Sequence, residues 1–143
     1  MSTLGLIYAI AAAVTWGVVY TIDQRILNNV TPGGLLLVDS VLALFFVLPI
    51  LALQKKTIGT IIGLPPSLWI IIVASQGLSM LASFFIFSSI QRLGASTASI
   101  FEIMYPFFVA IFAYVLLGAR PTVFFYLGTM IVFLGSAMII GSR

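Results

Sequence analysis

The stretch PGGLLLVDSVLALFFVLPILAL, residues 32–53, decides the fold: its apolar side chains run on without alternation and Asp39 is its one charge. Crossing a hydrocarbon layer of ~30 Å takes about 20 residues of helix, whereas a barrel strand of about 10 residues must alternate apolar and polar side chains. The run is long enough for the first and too uniform for the second. Similar runs cover 4–22, 67–90, 95–117 and 122–141. The expected fold is therefore an all-α membrane protein of five transmembrane helices, read as one domain over residues 1–143.

Composition leads to the same solvent. The chain is 62% apolar and 6% charged, with a mean hydropathy of +1.29, against about 45–50% and about 25% in ordinary soluble domains. Nine charged side chains, six basic and three acidic, do not disperse a globule of this size in water. The run at 4–22 has no basic residue ahead of it and is the first of several, so it reads as a span and not as a cleaved signal peptide. With neither Cys nor His, no disulfide frame, thiolate, zinc, haem or iron–sulfur site is expected, and no cofactor. The pI near 9.6 arises from an excess of three charges, and nucleic acid is not an expected partner. No Ser-His-Asp set, phosphate loop or paired catalytic carboxylate motif is present, so an enzyme is not expected.

The punctuation between runs fits helices. Asn28 and Asn29 close the first, and Thr31 with Pro32 reads as N-cap and first residue of the second. Lys55, Lys56 and the Pro65–Pro66 pair mark the one longer loop, while Gly94 and Gly118 with Pro121 mark tight turns. Pro49 and Pro106 read as helix-interior prolines that kink their spans. Small residues recur every fourth position at Gly5, Ala9, Ala13 and Gly17, and at Ser75, Ser79 and Ser83, the pattern of closely packed membrane helices. In the fourth span Ala98, Ser99, Glu102, Tyr105, Pro106 and Ala113 share one side; Phe101, Phe108, Phe112 and Val115 form a bulky face suited to lipid.

Polar side chains at membrane depth mark the candidate substrate path. Asp39, Gln76 and Glu102 fall inside spans, where such groups are retained for a wet cavity or a partner. By helical rise Asp39 lies roughly 10 Å in from Pro32, Glu102 roughly 11 Å in from Ala95, and Trp16 about 18 Å in from Leu4 on the opposite side. With Gln76 near the midplane, the four are expected in one layer. Trp69 takes the interfacial position usual for tryptophan; Trp16 does not. Either Trp16 offers a cation–π face to an organic cation, with Tyr20 one turn on and Tyr105 on the Glu102 side, or it is a core aromatic with its N–H bonded to a carbonyl. The carboxylates have two readings as well: Arg25 and Arg92 snorkel to clamp them, or they face a narrow cavity and exchange a proton for a cationic substrate.

Five spans put the termini on opposite faces. Lys55, Lys56 and Arg120 then fall on one side and Arg25, Arg92 and Arg143 on the other, three against three, which leaves two readings: dual topology, or one fixed orientation set by a free N-terminal amine or by unequal weights of near and far loops.

The segment Ala12-Ala13-Val14-Thr15-Trp16-Gly17-Val18-Val19-Tyr20, with Leu93-Gly94-Ala95-Ser96, Tyr105-Pro106-Phe107-Phe108, Leu116-Leu117-Gly118 and the closing Leu127-Gly128 through Gly135, resembles an EamA-type domain of the drug/metabolite transporter superfamily. The resemblance covers essentially the whole chain. It departs after the fourth span, where the family's frequent Gly-Glu-Arg is Gly118-Ala119-Arg120 here. The first span carries no carboxylate before Asp23, so the proton mechanism of the four-span multidrug relatives does not transfer. Most members hold two five-helix halves of inverted topology; this chain resembles one half. The resemblance implies that spans one to four surround a central path for a small-molecule substrate while span five lies outside, in a plasma or bacterial inner membrane. Joined to the charge tie, it implies an antiparallel homodimer of ten helices in the lipid bilayer. The alternatives are a half-transporter paired with a different chain, and a non-transporting interaction or scaffold subunit.

Dual insertion has a direct test in a chain without native cysteine. Lys56→Cys and Ser142→Cys, each made singly, are expected to react with an impermeant maleimide from both sides of the membrane; labelling from one side alone removes the dual topology.

Overall fold

The computed structural model describes residues 3–54 and 57–141. Lys55, Lys56 and Arg143, half of the basic residues in the charge tie, lie outside the described residues. Seven helices follow one another: α1 (Thr3–Leu27), α2 (Pro32–Leu53), α3 (Thr57–Ile62), α4 (Pro66–Leu93), α5 (Ala95–Glu102), α6 (Tyr105–Leu117) and α7 (Val123–Gly141). No strand occurs among the described residues. Five segments are long and apolar enough to cross a membrane: α1, α2, α4, the stretch Ala95–Leu117 and α7. Their apolar side chains are largely uncovered within the chain, with only 6% of each span's most apolar window buried. That distribution is costly in water and costs nothing in hydrocarbon.

The ends of the helices follow their sequence signals. The Thr31 hydroxyl accepts from the Gly34 N–H at 3.1 Å, with Pro32 in the first turn of α2. Gly94 (φ 83°) precedes α5 and Gly118 (φ 66°) ends α6 in the left-handed region that a side chain would strain. Inside the spans, hydroxyls return to the carbonyl one turn back: Thr15 to Ala11, Thr21 to Gly17, Ser40 to Leu36 and Ser136 to Val132, all at 2.7–2.9 Å. This satisfies them where no water competes.

Three expectations are revised. The loop after α2 carries the short helix α3. The first and third spans are longer than their apolar runs, because the backbone helix continues through Asp23, Arg25, Gln91 and Arg92. The fourth span is two helices. Pro106 has no N–H for the Glu102 carbonyl, and its ring would clash there, so the chain tightens through Ile103 and Met104 and restarts with Pro106 in the first turn of α6. Pro106 is thus a helix starter and not an interior kink; Pro49 remains inside α2.

The contacts divide the chain into two compact units, 1–21 with 92–143, and 22–91. In the first, α7 packs on α5 and α6, and Phe107 meets Phe133 edge-on with ring centroids 5.7 Å apart. Phe101, Phe108, Phe112 and Val115 are exposed, as their lipid-facing reading requires. In the second, Leu27, Leu35, Phe87 and Ile90 are buried. There the Gln91 amide donates to the Leu27 and Val30 carbonyls at 2.8 and 3.3 Å, satisfying acceptors that the end of α1 leaves open. Gln91→Ala is expected to cost about 1 kcal/mol of unfolding free energy, the usual net worth of such a bond, measured by denaturant titration in micelles.

Candidate functional site

The unit built from the start of α1 and from α5, α6 and α7 contains an open cleft of about 1030 Å³. One wall is α1, with Ala9, Ala13, Trp16, Gly17 and Tyr20. The facing residues are Ser99, Glu102 and Tyr105 around the α5–α6 break, and Val132, Gly135 and Ser136 of α7. The four-residue stripe of α1 sets the space: helical periodicity puts Ala9, Ala13 and Gly17 on one side, and α7 opposes them with Gly135 and Ser136. Neither wall fills the gap. A Cβ at Gly17 or Gly135 meets nothing within 4 Å. The stripe therefore makes room within the chain, where close helix packing was expected.

Glu102 is the carboxylate of this cleft. It is half-buried, and the Tyr20 hydroxyl donates to its Oε1 at 2.7 Å, a bond spanning 82 positions of sequence. Tyr20 is itself buried, and its ring lies 5.5 Å from that of Trp16 at a tilt of 49°. Trp16 and Tyr105, in contrast, are 56% and 61% exposed. Trp16 is thus not a core aromatic of this chain: its face is open. The hydrogen bond that Glu102 accepts comes from a tyrosine, where an arginine clamp was the competing reading. Glu102 also ends α5 at a broken helix, and irregular backbone at membrane depth persists where it lines a cavity.

Four of the six expected path residues, Trp16, Tyr20, Glu102 and Tyr105, line this one cleft. Asp39 and Gln76 do not; both belong to the 22–91 unit and are exposed on α2 and α4. The buried acid of that unit is Asp23, whose Oδ2 has no hydrogen-bond partner among the described residues. Sequence reading gave Asp23 no role in the path, noting only that no carboxylate precedes it in the first span. It also missed the α7 wall, for which Gly135-Ser136 was the available signal. The resemblance had implied that the last span stands outside the path, yet α7 lines the cleft, because its packing on α5 and α6 brings its small residues opposite α1.

A second hollow, of about 320 Å³, lies between α6 and α7 against Ile103, Pro106, Phe124 and Gly128. No ionisable group lines it, and the Thr129 hydroxyl there is bonded to the Phe125 carbonyl. Among the described residues, no group of three or more His, Cys, Asp or Glu is placed to hold a metal.

The family model of the EamA-like transporter family matches residues 3–141. Neither a curated protein nor a solved structure matches the chain.

The open walls give a stability test. Gly17→Ala is expected to leave thermal unfolding in micelles unchanged or to raise stability by up to about 1 kcal/mol, the helix-propensity gain of alanine over glycine. A loss would mean that a neighbour already occupies the space beside Gly17.

Proposed function

Since the chain belongs to the EamA-like transporter family, we propose that it moves small molecules across its membrane as an antiparallel homodimer, with the α1–α5–α7 cleft as each copy's share of the substrate path. The observation that carries this reading is Glu102, a carboxylate within a transmembrane segment, held by Tyr20 at the edge of an open cleft. An acidic group at this depth is costly in lipid and is kept where it meets cargo or protons. A scaffold subunit needs neither the acid nor the space.

Assembly in pairs rests on the five spans of this chain, the even distribution of basic residues and the inverted repeats on which alternating access is built. Two copies inserted in opposite senses supply the two halves. In this arrangement Asp39 and Gln76, exposed on their own helices, find partners or water at the second copy. Proton exchange at Glu102 is part of the proposal: a proton and a cationic substrate compete for one carboxylate. The location proposed is a plasma or bacterial inner membrane.

Glu102→Gln and Asp39→Asn separate transport from architecture. A compound screen in reconstituted vesicles, with and without a proton gradient, is expected to find flux in the wild type that Glu102→Gln abolishes and Asp39→Asn reduces, while cross-linking still traps the dimer. Loss of the dimer with no flux to lose would establish a structural role instead.

A further inference from the structure

We propose that the Tyr20–Glu102 hydrogen bond is a latch that shuts the cleft at the end facing the C-terminus of α1 and leaves the opposite end open. The inference rests on the transporter reading, in which a path that opens alternately has to be closable at one end. Depth fixes which end is meant. The first and fourth spans run in opposite directions; Tyr20 lies seven residues before Leu27, the end of α1, and Glu102 seven residues after Ala95, the start of α5, so both stand about 11 Å in from the same side. Ala9, on the same wall of α1, is about 27 Å from that end. The bond therefore crosses at one extremity of the cleft and not at its middle.

Burial changes in step. Ala9, Ala13 and Gly17 are exposed, and so is Tyr105 beyond the break. Toward the bond the walls close: Tyr20 is 8% exposed, and on α5 Ala98 and Ala95 are 1% and 8% exposed. Ser99, which lines the cleft at this end, is half-buried.

Both partners sit at soft points of their helices. Glu102 is the last residue of α5, next to the turn through Ile103 and Met104. Tyr20 lies between Gly17 and Thr21, and the Thr21 hydroxyl donates to the Gly17 carbonyl at 2.9 Å. Glycine lowers helix propensity, and a hydroxyl bonded one turn back loosens and bends a helix. Hinges form at such points and at element ends, where a few residues absorb the change in backbone angle. A hydrogen bond to a carboxylate sets a population ratio of about tenfold to a hundredfold. That is enough to keep the end shut most of the time, and little enough for a competing donor at Glu102 to release it.

The test reads water access, since only the thiolate reacts and the chain has no native cysteine. Ser99→Cys marks the latched end and Ala9→Cys the open end; each is reacted in micelles with the uncharged reagent hydroxyethyl methanethiosulfonate. Ser99→Cys is expected to react slowly. Adding Tyr20→Phe, which keeps the ring and loses the O–H, should speed it by about tenfold or more while Ala9→Cys keeps its rate. Glu102→Ala should give the same rise, and the double variant no further rise, because both remove one bond. An unchanged Ser99→Cys rate with Tyr20→Phe, additive rises in the double variant, or equal acceleration at both cysteines with a lowered unfolding midpoint overturns the latch. Flux of the screened compounds in vesicles separates the two readings: Glu102-dependent flux with Ser99→Cys already fast ends the latch alone, whereas an end that Tyr20→Phe opens in a chain that carries nothing ends the transporter reading.

Discussion

The hydrogen bond from Tyr20 to Glu102 joins the first helix to the break in the fourth span, and most of the candidate site depends on it. It satisfies a carboxylate oxygen at a depth where water is scarce. It also fixes the buried Tyr20 ring, against which Trp16 is stacked at a tilt. The partner in this bond is a neutral hydroxyl and not a guanidinium.

The second constraint is the backbone. In lipid every N–H and C=O has to be paired within the protein, so an interruption is tolerated only beside a neighbour or a cavity. Pro106 forces one, and the chain answers with the turn at Ile103 and Met104. The acid at the end of α5 and the aromatic at the start of α6 consequently sit on either side of a bend, both lining the cleft. Serine and threonine hydroxyls elsewhere fold back on their own helices and leave the chain's surface with little polarity to show.

Hydropathy alone made the five spans legible, since a run such as 32–53 has one solution in a bilayer. Caps were legible too, because Thr31-Pro32 and Gly118 act through local geometry. Depth put Trp16 and Glu102 in one layer with Asp39 and Gln76, and helical phase added Tyr20 and Tyr105; of these six, Trp16, Tyr20, Glu102 and Tyr105 line the one cleft. What sequence could not supply was packing partners. The spacing of Gly5, Ala9, Ala13 and Gly17 says that a face is narrow, and says nothing of whether a neighbour closes on it or stands back. Which acid of the 22–91 unit is enclosed was not legible for a related reason: burial depends on the phase of one helix against another, and Asp23, nearer the helix end, is buried while Asp39 is exposed. Pro106 was ambiguous because an interior kink and a first-turn proline share one residue type.

Helix length carries a further consequence. At about 1.5 Å per residue, the 25 residues of α1 and the 28 of α4 extend to about 37 and about 42 Å, beyond a hydrocarbon slab of about 30 Å. Such rods lean, or push their Arg25 and Arg92 ends into the headgroups, and the balance shifts with acyl-chain length. Bilayer thickness thereby becomes a control on the level at which Trp16, midway along α1, meets the water on either side.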